Sequence, residues 1–210
     1  GRMKLHLGID LGSTTTKAVV MDGQTILGKG ITNSRSNYDA ACAIAQTEAF
    51  IDTRFSLFRQ ALERAAPAGL DRDAFHAQLE VSFRLQQFLN QLDALAGIAL
   101  EEARAVRLTR LREPLAERLG VLFARIGADA RGIFRVGQAK RSEFFRDLAG
   151  SAYMRHAEEL AEPDGVGYDL LVNIYDKCIN RVENKVLALT FESTIGQALE
   201  ACGPDIYTLK

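Results

Sequence analysis

The hydrophobic period of this chain changes once, near Tyr38, and that change limits the folds open to it. Before it, apolar side chains recur at every second position, the pattern of a half-buried strand. Leu5, Leu7 and Ile9 alternate with polar or small residues, and Ala18 to Met21 is a short β-prone run. Asp22-Gly23 is a hairpin turn signal, and Thr25-Ile26-Leu27 with Gly28-Lys29-Gly30-Ile31 reads as a third strand. The pattern predicts three antiparallel strands near residues 4–10, 16–22 and 25–32, with loops at 11–15 and 22–24. So small a sheet is marginal unless something packs on it.

Beyond Tyr38 the period is about 3.6. Ile51, Phe55, Phe58 and Leu62 share one helical face, with a start at Asn37 or Tyr38-Asp39 and a stop at Pro67-Ala68-Gly69. Asp71 is placed to cap the next helix, whose stripe is Phe75, Leu79, Leu85, Phe88, Leu89, Leu92 and Leu95. Leu108, Leu111, Leu115, Leu119, Leu122 and Ile126 form a third stripe, expected to end at Gly127, with Pro114 in a first turn or at a kink. A helix near 139–161 should turn Phe145, Leu148, Ala152 and Leu160 inward, and Glu162-Pro163-Asp164-Gly165 should break the chain. Leu171, Ile174, Cys178, Val182 and Val186 give another stripe, and Lys185 to Thr194 suits helix or strand. Cys202-Gly203-Pro204 should end the last regular element, leaving a β-prone tail. The fold class is therefore α+β, predominantly α: a small antiparallel β-layer and a large helical bundle.

Composition narrows the function. The chain has 210 residues, 47% hydrophobic and 25% charged, as in an ordinary globular protein. A formal net charge of −1 argues against nucleic acid or an anionic membrane surface as partner. No apolar run reaches the roughly 20 residues that span a bilayer, so the cytoplasm is the expected location. Cys42, Cys178 and Cys202 are sparse and form no Cys-x-x-Cys pair, which fits buried or free thiols in a reducing compartment. His6, His76 and His156 lack convincing metal-ligand spacing and read as structural. Arg131, Arg135, Lys140 and Arg141 form a loose basic patch, best read as solvated.

The chemistry concentrates in the first turn. Asp10 ends the first strand, and Gly12-Ser13-Thr14-Thr15 leads to Lys17. Backbone N–H groups along a tight turn can converge on one anion. Gly12 permits close backbone approach, Ser13, Thr14 and Thr15 add hydroxyl donors, and Lys17 adds positive charge. Asp10 would repel a phosphate directly, but it suits a hydrated Mg²⁺ bridging carboxylate and phosphate oxygens. Neither a Walker A loop nor a Gly-x-Gly-x-x-Gly fingerprint is present.

Leu7-Gly8-Ile9-Asp10-Leu11-Gly12-Ser13-Thr14-Thr15-Thr16-Lys17 resembles the first phosphate motif of the actin-like ATPase and sugar-kinase superfamily. Gly-Ser-Thr-x-x-Lys is most similar to the activators of 2-hydroxyacyl-CoA dehydratases and the ATPase subunits of benzoyl-CoA reductases. The stretches Ile31 to Tyr38 and Thr47 to Phe55 resemble the larger benzoyl-CoA reductase subunits, which carry a long insertion. The resemblance implies half of an actin-like lobe in residues 1–37, a helical insertion in 38–203 and the start of a returning strand in 204–210. It implies ATP and Mg²⁺ as ligands, with Asp10 as the catalytic and metal-holding residue. It also implies a [4Fe-4S] cluster shared with a second ATPase subunit, and reductase subunits that accept the electron.

The further motifs of that family are missing from these residues: a second phosphate loop of the type Asp-Ile-Gly-Gly-Gln-Asp, an adenosine-side Gly-Gly, and a Cys-Ala-Ala-Gly-Thr-Gly cluster segment. Asp176-Lys177-Cys178 starts like the last and departs at Ile179. The expectation is the N-terminal part of a subunit coupling ATP hydrolysis to low-potential electron transfer, inactive by itself. A dehydratase activator, a small-molecule kinase and a non-enzymatic helical interaction module are the alternatives. In the last of these the helical part would dock partners or self-associate.

Overall fold

The computed structural model describes residues 3–34, 37–65, 68–137, 145–184 and 191–208. Three strands come first: β1 (Leu5–Leu11), β2 (Thr15–Asp22) and β3 (Thr25–Asn33), in the order β1-β2-β3 with both pairs antiparallel. The helices are α1 (Tyr38–Ala65), α2 (Arg72–Arg104), α3 (Thr109–Ile133), α4 (Phe145–Leu160), α5 (Tyr168–Asn184) and α6 (Phe191–Thr208). The chain is thus α+β and mostly helical, with one small antiparallel sheet. No helix among the described residues is long and apolar enough to cross a membrane.

The chain divides into two compact units, residues 1–80 with 200–210, and residues 81–199. In the first, the Asp22-Gly23 turn joins β2 to β3, and Gly23 takes the positive φ of 60° that such a turn requires. A register shift follows at Val20/Met21. Asn37 caps α1 by accepting from the Ala40 N–H at 3.1 Å, and Asp71 caps α2 by accepting from the Ala74 N–H at 3.1 Å. His76 Nε2 meets the Phe55 carbonyl oxygen at 3.0 Å, tying α1 to the first turns of α2.

Helix α1 lies on the sheet with small side chains. Ala41, Ala45, Ala49 and Thr53, spaced by four, are all buried, and Ala45 and Ala49 form a cluster with Ala18 and Val20 of β2. Against them stand Gly28 and Gly30 of β3, where an added Cβ would collide with Ala49, Thr53 and Ala45 backbone atoms. Of the large apolar stripe read along α1, Ile51 and Phe55 are buried, while Phe58 and Leu62 are half-buried. Close approach of helix and strand backbones leaves no room for larger groups there.

The second unit is a helical core in which Leu92, Leu95, Leu115, Leu119, Leu122, Ile126, Tyr153, Leu171, Ile174 and Ile179 are almost completely buried. The Tyr153 hydroxyl donates to the Leu171 carbonyl at 2.6 Å, and desolvation pushes its pKa far above the usual phenol value.

Several expected boundaries move. Gly127 does not end α3, which runs on to Ile133; its missing side chain faces Leu89 and Leu92 of α2, and Ala130 beyond it is fully buried. Packing of the helix face outweighs the roughly 1 kcal/mol that a mid-helix glycine costs. Pro114 lies inside α3, past its first turn, and Leu108 is the exposed N-cap position, not part of the buried stripe. Residues 191–194 are helical. The break expected at Gly203-Pro204 and the strand expected in 204–210 are replaced by α6 as far as Thr208. Continuing a helix adds one hydrogen bond per further non-proline residue fixed, without the cost of nucleating a new element. The start predicted at 139 for α4, and Val186, lie outside the described residues.

Candidate functional site

The predicted site residues lie together at one end of the sheet. Strand β1 stops at Leu11 and β2 begins at Thr15, so the turn is shorter than the predicted 11–15 loop. Its closing bond runs from the Gly12 N–H to the Thr15 carbonyl at 3.0 Å. This fixes the reason for glycine: a Cβ at position 12 would stand 2.5 Å from that same carbonyl oxygen. The Gly12 N–H is therefore used inside the turn and is not a donor for an anion. Ser13 and Thr14 form the exposed tip.

Antiparallel register places Asp10 directly opposite Lys17. Residues directly opposite one another share a face. With a period of two, Asp10, Thr15 and Lys17 project from the face opposite α1, while Thr16, Ala18 and Val20 are buried on the α1 face. Asp10 and Lys17 are both exposed. A carboxylate, an ammonium and three hydroxyls thus border one solvent-facing turn.

Two residues that the sequence reading did not single out hold that turn. Ser34, fully buried just past β3, donates its hydroxyl to the Gly12 carbonyl and lies 2.8 Å from the Thr16 Oγ1. Its N–H donates to the Thr14 carbonyl at 3.0 Å. The signal was available in strand counting. In a meander with β2 and β3 of nearly equal length, the end of β3 returns beside the β1–β2 turn.

The remaining candidates are dispersed. Cys178 is fully buried in the helical core, and desolvation raises its thiol to about 11, so it is a packing residue in thiol form. Cys42 is a half-buried free thiol. His156 is buried and engages Asp129 at 2.6 Å, which in turn accepts from Arg155 at 2.7 Å. Arg131 borders a shallow cleft of about 270 Å³ with Leu89, Leu92, Asp93 and Phe123, in which no cluster of polar groups converges. Lys140 and Arg141 of the basic patch lie outside the described residues. Among the described residues no three His, Cys, Asp or Glu side chains gather as a metal cluster site.

Comparison with protein-family models, with curated proteins and with solved structures finds no match to this chain.

Proposed function

We propose that the β1–β2 turn is one wall of a Mg²⁺–ATP site, in an ATPase subunit that couples hydrolysis to low-potential electron transfer. The observation that carries the reading is the pairing of Asp10 with Lys17 on the open sheet face, beside the exposed hydroxyls of Ser13 and Thr14. The donor types suit the ligand. Asp10 would hold Mg²⁺ through water, and Lys17 with the hydroxyls of Ser13, Thr14 and Thr15 would meet phosphate oxygens. Bound Mg²⁺ would neutralise phosphate charge. Ser34 and Thr16 would keep the turn in place without touching the nucleotide.

The motif resemblance names benzoyl-CoA reduction as the setting, with a second ATPase subunit and reductase subunits as partners in the cytoplasm. A dehydratase activator would use the same turn in the same way. No second Gly-Gly phosphate loop occurs in these residues, so the opposite wall would come from polypeptide outside them. The same holds for ligands of a [4Fe-4S] cluster, a role for which the buried Cys178 thiol is unsuited.

One wall encloses little of a ligand, so affinity here should be weak. Titration of the ¹⁵N-labelled chain with millimolar Mg²⁺–ATP should shift the amides of Ser13 to Lys17, and Asp10→Ala should remove the Mg²⁺ dependence of those shifts. No ATP turnover is expected from residues 1–210 alone. Shifts scattered elsewhere, with the turn unmoved, would overturn the reading.

A further inference from the structure

Helices α3 and α4 share a polar cluster beside their apolar contact. Arg125 and Asp129 come from α3, and Arg155, His156 and Glu159 from α4. His156 is the buried member: its side chain is 10% exposed, while those of the other four keep 38–57%. Its Nε2 lies 2.6 Å from Asp129 Oδ2. Its Nδ1 is shut away from water and makes no hydrogen bond, yet Glu159 Oε2 stands 3.5 Å from it. The ring thus has a carboxylate at each nitrogen.

The two charge states of the ring fit this place unequally. Neutral imidazole carries one N–H and one lone pair. With the N–H on Nε2, Asp129 is served, and the lone pair of Nδ1 is left buried, without a donor, facing Glu159. With the N–H on Nδ1, the lone pair of Nε2 opposes the Asp129 carboxylate at 2.6 Å. Imidazolium carries an N–H on both nitrogens. One then donates to Asp129, the other faces Glu159, and no buried acceptor is orphaned.

The surrounding charges do not replace that proton. Arg155 donates to the same Asp129 oxygen at 2.7 Å, and Arg125 pairs with Glu159 at 3.2 Å. Both arginines are solvent-exposed, where water and salt screen an ion pair. The nearest further charges along α4 and beyond it are Glu158, which is exposed, and Glu162, which Arg118 holds. No charged group of α5, which also packs on α4, bonds to this cluster among the described residues.

We propose that His156 is a pH-sensitive latch between α3 and α4, closed when its ring is protonated and released when the proton leaves. The folded chain sets two carboxylates around the ring that the unfolded chain does not. The latch therefore contributes stability at lower pH and loses it as pH rises through the titration of the ring. Histidines titrate between about pH 5 and 8, so the change falls in the physiological range. The bond from His156 holds the Asp129 carboxyl below the usual carboxylate range, so Asp129 stays charged across that window. Ala149, Ala152 and Tyr153 keep α4 in the apolar core, so release loosens the helix without unfolding it.

The test uses no nucleotide and leaves the β1–β2 turn untouched. At about pH 6, ring ¹⁵N spectra of residues 1–210 should show both nitrogens of His156 protonated. Asp129→Asn and Glu159→Gln keep the buried ring in place and change only partly exposed carboxylates to amides of the same size. Each should lower the His156 titration midpoint by about half a pH unit or more. His76, whose Nε2 meets the Phe55 carbonyl instead, should not respond. Amide protection factors in α4 should fall at least threefold between about pH 6 and pH 8.5, and His156→Gln should abolish that fall. A His156 ring neutral at about pH 6, a midpoint unmoved by either carboxylate variant, or a pH response that survives in His156→Gln would each overturn the proposal.

Discussion

Ser34 shows how a single buried hydroxyl can fix the shape of an exposed turn. It bridges Gly12 and Thr16, which are far from it in sequence. Ser34→Ala should lower stability by about 1–3 kcal/mol in urea denaturation, because two partners lose a buried hydrogen bond. It should also speed amide exchange at the Gly12–Thr15 turn. A second residue-scale prediction concerns Asp129. The hydrogen bond from His156 holds its carboxyl below the usual carboxylate range, with smaller help from Arg155 and against a desolvation effect. A depressed carboxyl contributes stability above its unfolded value of 3.8, and that contribution is lost as pH falls through the lower native value. Asp129→Asn should flatten the acid limb of a stability–pH curve below about pH 4 and leave its neutral part without a comparable slope. The chemistry at Asp10, Gly12 and Lys17 was legible in the sequence, because those residue types are adjacent in the chain. Ser34 was legible only indirectly, through which strand end a three-strand meander returns to the turn.

At the scale of elements, α1 and β3 meet through absent atoms. Gly28 and Gly30 admit the Ala45–Ala49–Thr53 stripe, with the Thr53 hydroxyl turned back to the Ala49 carbonyl at 2.7 Å. Gly30→Ala should destabilise the fold by roughly 1–3 kcal/mol or more, since the new methyl would meet backbone atoms of Ala45 and Ala49 and the Glu48 Cβ. Gly97→Ala, in the interior of α2 with nothing within 4 Å of the added Cβ, should instead stabilise by about 0.5–1 kcal/mol. Thermal and urea denaturation of the pair would check both signs. Alternation identified the three strands to within about a residue at most ends. The small-residue side of α1 was not read from the sequence, because periodicity weighs large side chains. A helix pressed onto glycines selects small ones.

At the scale of the whole molecule, the sheet with α1 and the helical core form separate compact units. Leu119 is completely buried in the second. Leu119→Ala should cost about 2–5 kcal/mol there, read as faster amide exchange across α3, α4 and α5. Protection in β2 should fall less, and equal loss in both would show one cooperative block. The sequence by itself determined the fold class, the antiparallel meander, most helix stripes and the chemical character of the Asp10–Lys17 turn. These rest on local patterns: period two, period 3.6, caps and turn residues. The tertiary structure alone decided that α3 passes Gly127, that α6 passes Gly203-Pro204, and that α1 packs through alanines. It alone decided that the apolar row of β1 stays about half exposed. Each of those depends on which surface faces another. Burial and close backbone approach arise between segments distant in sequence, and no local period encodes them.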